Sequence, residues 1–134
     1  MGVIYVARSA LLCKWAYEVG LSKHVFKIGY TEEPVKATVA VGWAGESDWT
    51  LVRSLAVESA NETETIERLA RKEKMIDPKL YPKLKGAAGI FKVLPVHVEN
   101  HMMVQRALAN DSALPEIKLK PADFAEYMIK NAAI

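Results

Sequence analysis

The side chains best suited to chemistry in this 134-residue sequence fall into three groups. The first is a basic stretch. Residues 61–92 carry Arg68, Arg71, Lys72, Lys74, Lys79, Lys83, Lys85 and Lys92 against five acidic side chains, a surplus of three. Such a row can lie along a phosphate backbone, each contact releasing counterions. It also fits a solvated helix face, because Glu64–Arg68 and Glu67–Arg71 are i,i+4 pairs with the acid first. The second group is His97 and His101, one helical turn apart. The zinc-protease pattern needs a glutamate directly after the first histidine. Here Val98 follows and Glu99 is rotated off that face, so the pair reads as packed or solvated rather than metal-binding. The third is the single cysteine, Cys13, set among Leu11, Leu12 and Trp15. It reads as a buried core thiol, since no base stands near it in sequence. The sequence holds no P-loop and no Gly-x-Gly-x-x-Gly.

Those residues need elements to position them. Residues 3–7 and 25–30 are short, apolar and β-rich, and read as buried strands. Between them residues 9–19 show Leu11, Leu12, Trp15 and Val19 at helical spacing, stopped by Gly20. Glu32, Glu33 and Pro34 open a short helix with Val35, Val39 and Trp43 as its buried stripe. Residues 49–57 nearly alternate and read as a third strand. Asn61 caps a helix, with Glu64 three residues on and with Ile66, Leu69, Ala70 and Ile76 along its apolar side. A basic, proline-punctuated stretch covers 77–85, and residues 90–93 form a last short strand. Pro95 starts a helix whose apolar side is Val96, Met103, Val104, Ala107 and Leu108. A linker over 111–120 contains Pro115. Pro121 starts a final helix striped by Phe124, Tyr127, Met128 and Ala132.

Eighteen Lys and Arg against sixteen Asp and Glu, with 51% hydrophobic residues, is ordinary globular composition. It excludes a disordered chain and a collagen-like repeat. One cysteine excludes an internal disulfide and an all-cysteine zinc site, and suits a reducing compartment. The N-terminal apolar run is too brief for a signal peptide, and no run is long enough to span a membrane. The chain is therefore expected to be soluble and cytoplasmic. The fold class is α+β, with a small, mostly antiparallel sheet.

A more specific pattern lies in the order of the pieces. Gly2-Val3-Ile4-Tyr5-Val6 is followed by Phe26-Lys27-Ile28-Gly29-Tyr30-Thr31. Then come a short helix, a strand, a helix carrying Glu67, and Gly89-Ile90-Phe91-Lys92-Val93. Over about residues 2–94 this resembles the GIY-YIG nuclease superfamily, especially its phage-associated branch, where the second motif reads Lys-Ile-Gly-x-Thr. The resemblance implies a three-stranded sheet flanked by helices. It implies that Tyr5 helps deprotonate the attacking water, and that Lys27 takes the place of the second-motif tyrosine with Tyr30 nearby. Lys36 would stand for the arginine that stabilises the phosphate. Glu67 would hold one divalent cation, Mg²⁺, with Glu64 as the alternate.

The sequence also departs from that family. Lysine lacks the bidentate fork of arginine. Arg71 stands where a histidine is common, and Gly89 where the branch has a glutamate. A probable helix within residues 9–24 is inserted after the first strand.

These readings divide the chain into a GIY-YIG-like domain over 1–94 and a helical extension over 95–134 packed on the same core. The function expected is a DNA-binding protein with a degraded nuclease set and weak or absent phosphodiester hydrolysis. If active, it would be a Mg-dependent endodeoxyribonuclease. Arg68, Arg71, Lys72, Lys74, Lys83 and Lys85 would contact the nucleic acid. The alternative is a non-catalytic interaction protein, of the kind phages encode, that binds and modulates a host protein. The C-terminal helices either complete one core or offer a surface for a homo-oligomer. No membrane partner is expected.

Overall fold

In the computed structural model the chain folds around one antiparallel sheet, and residues 2–58, 60–108 and 119–133 are described. The strands are β1 (Gly2–Arg8), β2 (Val25–Thr31), β3 (Thr50–Val57), β4 (Lys74–Met75) and β5 (Ile90–Lys92). The helices are α1 (Ala10–Glu18), α2 (Val35–Val41), α3 (Glu62–Ala70), α4 (Pro95–Leu108) and α5 (Pro121–Ala132). The expected linker over 111–120 falls mostly outside the described residues. The strand order is β3-β1-β2-β5-β4. The α+β class therefore stands, but the sheet has five strands where three were expected. β5 pairs with the start of β2 and carries the two-residue β4 on its far side.

β1 and β2 are the central strands, and their β-branched and aromatic residues are buried on both sides. On one face Ile4, Val6, Phe26 and Ile28 pack with Leu69, Val98, Phe124 and Met128 from α3, α4 and α5. The C-terminal α5 thus shares its core with the first two strands. On the other face Ala7, Val25 and Ile90 pack with Leu12, Cys13, Ala16, Val39 and Leu84.

Caps fix the helix starts. The Ser9 hydroxyl accepts from the Leu12 amide at 3.1 Å and donates to Asp48. Asp48 also accepts from the Leu11 amide at 3.0 Å, a carboxylate at the positive end of α1. Asn61 caps α3 as expected, its Oδ1 accepting from the Glu64 amide at 2.8 Å.

Two sequence expectations fail for identifiable reasons. The helix after Asn61 stops at Ala70 and does not reach Ile76. Its last turn tightens, with the Lys72 and Glu73 amides both donating to the Leu69 carbonyl. Glu73 then turns inward and Ile76 joins the opposite core cluster, its amide bonded to the Ile90 carbonyl. The second failure is α4. Its expected apolar stripe is exposed, with Val104 at 56% and Leu108 at 77%, while Val98 alone is fully buried. By contrast the expected stripe of α5 is buried throughout. No helix among the described residues is long and apolar enough to cross a membrane.

Candidate functional site

Tyr5 on β1 faces Gly29 on β2, and Ala7 faces Lys27. Strand side chains alternate, so Tyr5, Lys27 and Gly29 share one sheet face. Gly29 is required there. A Cβ on it would lie 2.6 Å from both the Tyr5 hydroxyl and Glu62 Oε1. These two groups converge in the space its hydrogen leaves open. Glu62 arrives from the first turn of α3, directly after the Asn61 cap.

Lys27 Nζ donates to the Ile28 carbonyl at 2.9 Å and lies 3.3 Å from Glu62 Oε1. Its side chain is 2% exposed, whereas that of Glu62 is 50% exposed. Gly89, at a φ of +84°, makes room beside it, since a Cβ there would meet Lys27 Nζ at 2.9 Å and the Ile28 carbonyl oxygen at 2.5 Å.

Trp43 closes the cluster from above. Its ring stacks on Tyr5 with centroids 5.9 Å apart and 18° between planes. The Lys27 ammonium lies 5.3 Å from the Trp43 centroid, within cation–π range. Trp49 holds this lid edge-on, and its Nε1 donates to the Trp43 carbonyl at 2.9 Å.

Burial pushes the Tyr5 phenol well above the ordinary tyrosine range, and the charge of Glu62 pushes it further. Burial also lowers the Lys27 ammonium below the usual lysine range, with Glu62 acting against that shift. Tyr5 is thus a neutral hydrogen-bonding group and a poor proton acceptor for water. An ammonium has three donors. Lys27 directs two of them to the Ile28 carbonyl and Glu62, which leaves one toward the aromatic pocket.

The residues expected to act together are only partly brought together. Tyr5 and Lys27 meet. Tyr30 lies on the opposite face, across from Ile4 and packed on that core, because neighbouring strand residues point opposite ways. Lys36 is exposed on α2 and forms no hydrogen bond or ion pair among the described residues. Glu67 is exposed on α3, five residues past Glu62 and so about 140° around the helix. Glu64 pairs with Arg68 at 3.3 Å on the surface. The acid at the cluster is Glu62, which sequence spacing did not single out. Its only signal was its place immediately after a helix cap. Trp43, read from sequence as one of the buried residues of α2, instead follows that helix and covers the cluster.

The residues do not fit a divalent cation at Glu62, because the lysine ammonium already neutralises its carboxylate. Nowhere among the described residues do three His, Cys, Asp or Glu side chains gather for a metal.

The basic stretch divides in the same way. Arg68 is tied to Glu64 and to the Ala132 carbonyl at 3.2 Å, and Lys83 is paired with Glu46 at 2.7 Å. Arg71, Lys72, Lys74 and Lys85 are exposed and without an ion pair among the described residues. Lys74 stands directly across from Lys92 between β4 and β5. Like charges so placed repel unless an anion lies between them.

Two other groups single themselves out. His97 Nδ1 lies 2.5 Å from Glu73 Oε2, within hydrogen-bond distance. Glu73 also accepts from the Leu94 amide at 3.0 Å and the Tyr127 hydroxyl at 2.7 Å. Cys13 is buried, its thiol donating to the Val25 carbonyl at 3.3 Å. No protein-family model, no curated protein and no solved structure matches this chain.

Proposed function

We propose that the chain is a nuclease-like DNA-binding protein on a GIY-YIG-like scaffold, with phosphodiester hydrolysis weak or absent. The observation that carries this reading is the Lys27–Glu62 ion pair beneath Trp43, over Gly29 and beside Tyr5. It joins the two short motif strands to a later helix, as the sequence resemblance implies for a nuclease cleft. Yet the chemistry is disabled at each step. The acid is neutralised by a lysine, the tyrosine holds its proton, no guanidinium enters the cluster, and an indole occupies the approach. Hydrolysis needs an activated water and charge at the developing oxyanion.

DNA contact rests on the unpaired cations Arg71, Lys72, Lys74 and Lys85. Four phosphate contacts give a salt dependence of log K with slope near −3.6 on duplex DNA. The test is a salt titration of duplex binding by fluorescence anisotropy, with a supercoiled-plasmid assay in Mg²⁺ or Mn²⁺ beside it. Binding with that slope, reduced by about 2 in a Lys72→Ala/Lys74→Ala variant, supports the reading. No binding at low salt sinks it, and efficient cutting would refute the disabled chemistry.

A second reading, a non-catalytic protein that binds a protein partner, is favoured by α4. Its exposed Val96, Met103, Val104 and Leu108 form an apolar face of the adaptable kind used at interfaces. Binding to a partner that Val104→Lys abolishes, with no DNA affinity, would select it.

A further inference from the structure

The two edges of the sheet are built differently. At one edge β4 is two residues long and carries Lys74, which are the usual devices against pairing with another chain. At the other, β3 runs for eight residues, Thr-Leu-Val-Arg-Ser-Leu-Ala-Val, and among the described residues pairs only with β1. It has one charge, no proline, no glycine and several β-branched or leucine residues. Alternate backbone N–H and C=O groups along it face outward, and only a further strand satisfies such a row in full.

We infer that β3 pairs with β3 of a second copy of this chain, antiparallel about a twofold axis normal to the sheet, to make one ten-stranded sheet. Three observations select a second copy over another strand. First, the middle of β3 is apolar and open: Leu55 is 42% exposed, between the small exposed residues Ser54 and Ala56. Second, the strand is self-complementary. A twofold axis normal to the sheet keeps each copy's faces on the same side, so it passes midway between the two copies of one residue. Placed at Leu55, it sets leucine against leucine and sets the lone charge, Arg53, across from Val57 rather than against itself.

Third, the surface beside β3 carries both signs of charge. A groove of about 350 Å³ runs between β3 and α5, lined by Leu55, Ile129 and Ala133 with Arg53, Glu126 and Lys130 at its rim. Arg53 and Glu126 lie 3.8 Å apart. Two such rims meet without a single-sign repulsion. The pairing would also set the two Tyr5 side chains on the same sheet face, three strand spacings across and two residues along, about 16 Å apart.

The test is sedimentation equilibrium of the full chain from low to about 100 μM. A dimer is expected, with Leu55→Lys raising its dissociation constant about tenfold or more while circular dichroism stays unchanged. Val104→Lys, on α4, should leave the dimer intact. A Leu55→Cys variant, whose two copies face each other across the axis, should form an intermolecular disulfide under mild oxidation, a readout that does not depend on the lysine variant folding. A monomer across the whole range, or a dimer lost in Val104→Lys and kept in Leu55→Lys, overturns the inference.

Discussion

Glu73 and Lys27 are both almost wholly buried ionisable side chains, set on different sides of the sheet, and each lies near a tyrosine, Glu73 beside a histidine and Lys27 beside a carboxylate. Their surroundings differ in how fully they are satisfied. Glu73, 1% exposed, accepts hydrogen bonds from the Leu94 amide and the Tyr127 hydroxyl and pairs with His97, so one carboxylate joins the end of α3 to α4 and α5. Lys27 has a backbone carbonyl and a half-exposed glutamate, and its third donor faces two aromatic rings. A closed network of the first kind fixes structure. An ammonium with one donor directed only at aromatic rings is suited to a ligand. Function is therefore better sought at Lys27, although Glu73 has more partners.

The largest test of that contrast is Glu73→Ala. It strands the Tyr127 hydroxyl and the Leu94 amide in the core and removes the partner of His97. A loss of about 3–5 kcal/mol is expected, read as a lower urea midpoint with little change in slope. Glu73→Gln keeps an acceptor and should lose less. If Glu73→Ala were neutral, the two clusters would not differ in the way described.

Alkaline titration separates the two tyrosines from Lys27 by sign. Burial, then the hydrogen bond and charge of Glu73, push the Tyr127 phenol above its ordinary value, as burial and Glu62 do for Tyr5. Below about pH 10 both folded and unfolded phenols keep their protons. Above it the unfolded chain ionises first, binds fewer protons than the folded one, and stability falls. Lys27 acts oppositely. Its folded ammonium is shifted down, so stability rises as pH climbs from that lowered value toward the ordinary lysine range. Tyr127→Phe and Tyr5→Phe should each flatten the alkaline decline of the urea midpoint, and Lys27→Met should steepen it. A flatter decline in Lys27→Met would contradict the burial of its charge.

The sequence revealed most of the frame and part of the cluster, and the split has physical reasons. Strands β1 and β2 were legible as short apolar, β-rich runs, β3 by its near-alternation and helix α5 by its helical spacing. β4 was not, because two residues carry no period. The helix after Asn61 was drawn too long because Ile76 continues its spacing, while what ends the helix is a tertiary demand on Glu73. The α4 stripe was legible as a pattern but not as a direction, since periodicity does not say which face is covered. Tyr5 and Lys27 were found because strand motifs set their register. Glu62 was missed because which helical acid reaches a strand depends on how α3 is rotated about its axis, and the spacing favoured Glu67, with Glu64 as the alternate.

Lys27→Met should leave stability within about 1 kcal/mol, since replacing a buried ion with an apolar side chain of similar length is often neutral or favourable. The same change should weaken DNA binding if the cleft contributes to it. A variant that keeps both stability and affinity would leave Lys27 with no part in either, unlike Glu73.

The smallest expected effect belongs to Glu67, and it bears on the register of α3. Glu67 is exposed and has no ion pair or hydrogen bond among the described residues, so Glu67→Gln should change stability by less than about 0.5 kcal/mol. It should also leave DNA binding and its salt slope essentially unchanged. Glu62→Gln removes the charge facing Lys27 and part of what raises the Tyr5 phenol, so it should relax the Tyr5 contribution to the alkaline decline. The decisive measurement is any metal-dependent plasmid nicking that the protein retains. If Glu67→Gln abolished it while Glu62→Gln did not, α3 would have to present its other side to the substrate. The Tyr5–Lys27–Glu62 cluster would then be packing rather than a site.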